Sequence, residues 1–496
     1  MKSTKGMVGI LTAALVLVSF QAFAGPDHSE FVKGPFKEGR DVTKQCLECH
    51  EKQAGDFMKT THWKWAGTPN HIKGMEKSTK EFGKSNMINA FCTTVFNGKN
   101  EKPMESCGKC HAGYGWSGAK FDHTDKTRVD CLVCHAQKGN YERASVGCDI
   151  DMSSILKGSM DLEKAAKSVG MPTLQNCGYC HFYGGGGDNV KSPGLDSTLL
   201  RADRNRDVHM ASKEKGGLGM TCQACHKTTD HKIAGASSMM AHYDARVNCE
   251  DCHNGAKAPH QKSKNKALLN NHLSAVACQT CHIPTLSRGQ ATKMMWKWSD
   301  VNKMEGKEVE EQFDKETYMK KKGSFRWDKN FVPAYAWYNG QIERYLTGDK
   351  IKDPAKTVIM MKPIGDIKDK TAKIYPYKYY TGTQPMDSKF KYLSTFQQYD
   401  SLWVHFNWDQ ALKDGAQGAG LPYSGKYQFV NTESWLAGPH EVVPKENALQ
   451  CGECHMGAKR MDWKALGYKG DPMQFGGRKI AADAKKPAKK SSKKKK

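Results

Sequence analysis

At 496 residues the chain has room for two or three ordinary domains, but only 38% of it is hydrophobic and 26% is charged, which excludes a large apolar core as its sole organiser. A formal charge of +24 suggests a nucleic-acid binder until it is divided by position: two charges fall in the first 24 residues and eight in the last twelve, leaving +14 for the body. The 18 cysteines and 19 histidines exceed what packing uses and point to covalent or metal chemistry.

Residues 1–24 read as a secretory signal, with Lys2 and Lys5 ahead of an apolar run from Met7 to Phe20 and Ala22-Phe23-Ala24 before Gly25. An uncleaved anchor is the alternative. The mature chain is expected to begin near Gly25 in the bacterial periplasm, and no later segment reaches the roughly 18 apolar residues of a membrane span.

From Cys46 onward one pattern, C-x-x-C-H, recurs eight times: Cys46/Cys49/His50, Cys107/Cys110/His111, Cys131/Cys134/His135, Cys177/Cys180/His181, Cys222/Cys225/His226, Cys249/Cys252/His253, Cys278/Cys281/His282 and Cys451/Cys454/His455. Composition alone would give roughly 0.02 copies. The pattern attaches haem c, the two thiols forming thioethers and the histidine binding iron as proximal ligand. Zinc knuckles or thioredoxin-like pairs explain one or two C-x-x-C copies, not a histidine at the fifth position eight times. Eight covalent haems are expected, and their sixteen propionates offset most of the remaining positive charge.

Eleven histidines lie outside the motifs. As distal ligands the reading selects His62, His209, His231, His260, His272, His405 and His440, with His28 and His71 as exposed surface histidines. Short helices and long loops are expected in the haem-rich half, one helix running from Asp161 to Val169 with Gly170 and Pro172 beyond. The first cysteines of motifs one to seven are 61, 24, 46, 45, 27 and 29 residues apart, so neighbouring haems must pack closely, whereas residues 283–450 hold no motif. That gap is expected to contain a charged helix from Gly306 to Lys322 and a hairpin in which Ala334–Tyr338 and Gln341–Leu346 flank Asn339-Gly340. Its aromatics, Tyr375, Tyr377, Tyr379, Tyr380, Trp403, Phe406 and Trp408, read as a small core or as haem shielding.

The fold class is thus mainly α with long loops, a multihaem cytochrome c organised around packed haems with a small β-containing haem-free segment. The divisions are a signal peptide at 1–24, a haem-rich domain with seven sites at 25–282, a haem-free mixed segment at 283–450, the eighth site at 451–470 and a disordered lysine-rich tail at 471–496. Two cysteines remain, Cys92 and Cys148. They read either as one disulfide or, for Cys92, as a thiol able to act on sulfur substrates.

The strings Ile88-Asn-Ala-Phe-Cys92, His111-Ala-Gly-Tyr-Gly-Trp116, Asp130-Cys-Leu-Val-Cys-His135, Cys177-Gly-Tyr-Cys-His-Phe-Tyr-Gly-Gly-Gly-Gly-Asp188, Asp207-Val-His-Met210 and Ala277-Cys-Gln-Thr-Cys-His-Ile-Pro284 resemble the octahaem tetrathionate reductases over residues 45 to 460. The resemblance implies that the second haem is catalytic, with a lysine amine as distal ligand and a cysteine nearby. Cys92 matches the cysteine. Lys191, ending Gly-Gly-Gly-Gly-Asp-Asn-Val-Lys, matches the lysine, although Ser-Pro-Gly-Leu-Asp follows where the family is expected to carry a histidine; Lys157, Lys164 and Lys167 come next.

The function implied is periplasmic reduction of tetrathionate to thiosulfate, with nitrite and hydroxylamine as further substrates. The alternatives are a non-catalytic electron conduit and an octahaem nitrite or hydroxylamine reductase. Expected partners are periplasmic or membrane-bound redox cytochromes and a small inorganic anion, with no nucleic acid.

Overall fold

The computed structural model describes residues 27–93, 108–116, 120–137, 139–143, 160–237, 247–304 and 309–478. Residues 1–26, Cys107, Cys148, Lys157, His242 and 479–496 lie outside them; the first part of the expected disordered tail is ordered, with a helical turn at Pro472–Phe475 capped by Asp471.

In the haem-rich half the longest helix, Gly39–Phe57, carries the first motif and starts on a capping box between Glu38 and Asp41. Five of the remaining motifs sit on one- or two-turn helices, Leu132–His135, Leu174–His181, Cys249–Cys252, Cys278–His282 and, beyond the gap, Cys451–Cys454, and the second and fifth on the 3-10 turns Gly108–Cys110 and Cys222–Ala224. They are this short because a motif needs only a single turn to bring two thiols and an imidazole to one side. The Asp161 helix runs over Leu162–Lys167, its Asp161 carboxylate accepting from the Glu163 and Lys164 amides. A two-stranded ribbon, β1 (Thr228–Thr229) and β2 (Lys232–Ile233), follows the fifth motif.

The gap segment is β, not a small adjunct to an α fold. β3 (Thr292–Lys297), β4 (Tyr318–Met319), β5 (Gly323–Asp328), β6 (Ala334–Tyr338), β7 (Ile342–Arg344), β8 (Val358–Pro363), β9 (Lys373–Asp387) and β10 (Tyr427–Ala437) form one mixed sheet in the order β4-β5-β3-β9-β10-β8-β7, with β6 also paired to β9. β9 is central: it pairs antiparallel with β10 over eleven residues and parallel with β3 at Thr381–Thr383.

Two sequence expectations change here. No helix forms in residues 309–322, which instead double back through a Glu311↔Glu316 bridge into β4; the stretch has no apolar stripe to bury as a helix. Asn339-Gly340 does turn the chain, with Gly340 at φ 101° and the Asn339 carbonyl oxygen of the side chain accepting from Gln341 N. The flanking strands nevertheless part company, β6 joining β9 and β7 joining β8, because each finds a longer apolar partner there than in the other.

The largest buried apolar cluster belongs to this sheet and reaches across to Ile88, Phe91 and Val190 of the haem-rich half. One face of β9 and β10 therefore forms a floor beneath the segments that carry Cys92 and Lys191.

Candidate functional site

A continuous cavity of about 3690 Å³ runs through the haem-rich half, lined by every described attachment cysteine and motif histidine except His111. Ordinary small-ligand sites hold roughly 300–1,000 Å³, so this space fits several large groups. Among the described residues no cluster of three or more His, Cys, Asp or Glu forms a conventional metal site. Imidazoles face one another in pairs instead. Ring centres are 6.1 Å apart for His28 and His50, 5.7 Å for His135 and His231, 6.0 Å for His62 and His181, 6.4 Å for His226 and His440, 6.2 Å for His209 and His253, and 6.2 Å for His272 and His455. An iron held by both rings at about 2 Å each would set their centres about 6 Å apart. His260 and His282 are also near enough for the charge of one to depress the other.

The orientation of the rings is fixed from behind. Nδ1 donates to Gly170 O from His135 (2.9 Å), to Leu268 O from His272 (2.9 Å), to Asn270 Oδ1 from His260 (3.1 Å) and to Asp471 Oδ1 from His455 (2.6 Å), which leaves Nε2 for a metal. Burial pushes the His181 imidazole down to about 3 and depresses His62, His135, His209, His231 and His282, so all are neutral bases at pH 7.

His28 and His405 exchange the places the sequence assigns them. His28, read as a surface residue, faces His50; His405 is exposed on the turn Trp403–His405 and has no motif histidine beside it. Distance along the chain misleads at both, since a ligand is chosen by proximity in space. His71 is buried, not exposed.

Attachment cysteines of different motifs meet in pairs: Cys46 with Cys131, Cys110 with Cys180, Cys177 with Cys222 and Cys249 with Cys278. Groups attached at these points would be neighbours, and the second motif joins the rest through the fourth.

The second motif differs from the others. The His111 ring is packed against Trp116 (4.2 Å), Phe121 (5.0 Å) and Trp65 (5.2 Å), and its Nε2 donates to Trp63 O at 2.7 Å. Behind it, Arg143 donates to the carbonyls of His111 and Gly113 while pairing with the buried Asp130 carboxylate at 3.4 Å. Asp130 also accepts from Tyr114 Oη, Tyr141 Oη and the Val133 amide, which ties the second and third motifs together. His111 is therefore enclosed outside the cavity lining, with its Nε2 already bonded to Trp63 O, and to serve as a proximal ligand its ring would have to give up that bond.

Lys191 lines the cavity, brought in by the glycine-rich turn. Gly185 has φ +85°, and a Cβ on it would meet Val190 Cγ1 at 2.9 Å and Lys191 Cβ at 3.3 Å, so only glycine lets the turn close this tightly. Burial pushes the Lys191 ammonium down to about 7; Lys84 and Arg344 act in the same direction and Cys92 against it. Lys191 Nζ lies 5.6 Å from the Phe91 ring, next to Cys92 in the chain. The Cys92 thiol also bears on Tyr380, whose hydroxyl burial pushes up.

The sheet holds both segments. Lys378 of β9, fully buried, donates to Val190 O (2.8 Å), Lys191 O (3.2 Å) and Thr292 Oγ1 (2.7 Å). Arg344 donates to Ile88 O (2.6 Å), and Trp298 Nε1 to Phe91 O (2.7 Å). The structure thus brings Cys92 and Lys191 together, and adds Lys84, Arg344 and Lys378, which sequence reasoning missed, and Tyr380, which it read as core or haem shielding. One signal was available: Lys378 occupies an inward position of an otherwise apolar alternation.

Comparison with known proteins follows the same division. Residues 45–136 match the family described as cytochrome c554 and c-prime, and residues 293–458 the family described as bacterial cytochrome c. The crystal structure of octahaem cytochrome c from Shewanella oneidensis superposes with a TM-score of 0.79 at 42% identity, covering 90% of this chain and 98% of that one. An uncharacterised protein of Archaeoglobus fulgidus is 24% identical over 246 residues, 42% of this chain and 80% of that relative.

Proposed function

The chain belongs to the family of the octahaem cytochrome c, and from that premise we propose that it is an exported reductase carrying eight haems, acting on a small inorganic anion, tetrathionate foremost, at the Lys191–Cys92 pocket. When bound, haem supplies redox-active iron and a path for electrons. His28, His231, His62, His440, His209, His260 and His272 are assigned as distal ligands opposite His50, His135, His181, His226, His253, His282 and His455. Lys191 is assigned to the second haem. Its location is the periplasm, with redox cytochromes as partners; among the described residues no helix is long and apolar enough to cross a membrane.

The observation that carries this reading is a buried lysine beside a cysteine, ringed by Lys84 and Arg344. A buried amine near neutrality binds a metal more readily than an ordinary ammonium, and cations of fixed charge hold an anion. Attack of the Cys92 thiolate on one central sulfur of tetrathionate forms a Cys92–sulfur bond, breaks the central S–S bond and expels thiosulfate. Two electrons then cleave the new bond, release the second thiosulfate and restore the thiolate.

Nitrite or hydroxylamine reduction is the second reading, favoured by a different observation. These reactions consume protons, whereas tetrathionate reduction does not. Tyr380 Oη, on which Cys92 bears, is buried with no hydrogen-bond partner among the described residues, a hydroxyl able to hold a proton at the pocket.

The test is turnover by the purified haem-loaded protein with reduced viologen against all three substrates, alongside a magnetic spectrum. One haem distinct from bis-histidine haems, with turnover, supports the reading. Uniform bis-histidine signatures without turnover would leave an electron conduit.

A further inference from the structure

The cavity does not end at the attachment motifs. Its lining includes a lobe of sheet-half residues, Trp296, Trp298, Lys322, Gln398, Tyr399 and Trp403. From these residues we infer that this lobe is the entry path by which an anionic substrate reaches the Lys191–Cys92 pocket, with Lys322 selecting for negative charge. The inference rests on the reading of that pocket as the reacting site.

The wall is built as one piece. Trp298 donates to Phe91 O beside Cys92 and stacks on Trp296 with ring centres 4.6 Å apart; Trp296 Nε1 donates to Lys322 O at 2.6 Å. The inner end of the path and Lys322 are thus connected through two rigid indoles. Opposite them, Tyr399 and Trp403 pack at 4.5 Å, and Lys322 Nζ lies 5.6 Å from the Trp403 ring. Trp403 Nε1 itself is buried within the wall, with no hydrogen-bond partner among the described residues.

Gln398 and Tyr399 lie on the π-helical turn Gln398–Leu402, a geometry that is rare and frequent at functional sites. Positive charge accompanies the wall at two places, half-buried Lys322 beside the indoles and Lys84 and Arg344 beside Lys191. Like-signed charge along a low-dielectric passage concentrates and guides anions.

The test uses the haem-loaded protein with Cys148→Ser, which leaves Cys92 as its single cysteine outside the attachment motifs. Cys92 is labelled with a sulfonate-bearing methanethiosulfonate and with its neutral methyl counterpart. Lys322→Glu is expected to slow the anionic reagent about tenfold at low salt, an effect lost at high salt, and to leave the neutral reagent unchanged. Gln398→Trp is expected to slow both. Equal anionic labelling rates with and without Lys322→Glu overturn the inference, as does equal slowing of both reagents by it. If Lys322→Glu loses haem, Lys322→Met makes the same comparison. Because labelling needs no turnover, a protein that reduces none of the three substrates removes the functional reading and leaves this result standing.

Discussion

Asp207 explains why a short string such as Asp207-Val-His-Met210 carries so much information. One carboxylate oxygen accepts from the His209 and Met210 amides and the other from Glu441 and Val442, so a single residue fixes His209 and the chain beside His440. Glu441 completes the joint: fully buried, it accepts from Arg288 N and pairs with Arg206 at 3.1 Å. Glu441→Ala should cost about 3–5 kcal/mol, the penalty for leaving buried arginines uncompensated, and denaturant unfolding would measure it; an effect below 1 kcal/mol would show that water replaces the carboxylate. At the pocket, Lys191→Met should change the ligand-field spectrum of one haem out of eight, and an unchanged spectrum would move the ligand elsewhere. Cys92→Ser should retain all haems, since Cys92 lies outside the motifs, yet lose tetrathionate turnover roughly tenfold or more, with nitrite turnover less affected. The motifs made the attachment residues plain in the sequence because covalent chemistry demands fixed spacing. Partners in space carry no such spacing, which is why the sequence did not place His28 opposite His50 or Lys378 beneath the turn that presents Lys191.

At the scale of elements, the sheet was the least legible part. Pro376 and Pro385 interrupt β9, and proline ordinarily argues against a central strand; here Pro385 lies beyond the three residues that pair with β3. The Asn339-Gly340 turn was readable because its geometry is local, whereas the partners of β6 and β7 are set by tertiary packing. What the sheet contributes is position. Lys378 spans from β9 to the turn that presents Lys191, its three acceptors satisfying the ammonium despite the burial that depresses it. Lys378→Met keeps the side-chain volume but strips the donor from the carbonyls of Val190 and Lys191. A loss of about 1–3 kcal/mol is expected, together with a shifted signature of the lysine-ligated haem and seven unchanged ones. Stability lost with no spectral shift would make Lys378 a purely structural residue.

Across the whole molecule the two halves are stabilised by different means. The sheet half is held by the extended apolar cluster, in which Trp298, Tyr380, Phe396 and Leu402 are fully or almost fully buried, and by a smaller one around Trp337 and Ile374. The haem-rich half has three smaller clusters around a cavity of about 3690 Å³. Interiors are otherwise packed to the density of organic crystals, so a cavity of that size lined by paired imidazoles and cysteines has no stable empty form. Haem attachment should therefore be a folding event for one half and nearly irrelevant to the other. Mass spectrometry of the mature protein should give a chain beginning at Gly25 with eight haems, and limited proteolysis should leave it intact across both halves. The same chain made without haem attachment should be cut first within residues 160–282, while a fragment containing residues 292–437 persists, because burial of its aromatic strands requires no cofactor. Equal protection of both halves in the haem-free chain would mean that the cavity is held open by protein contacts alone, and the haems would then be passengers in the fold.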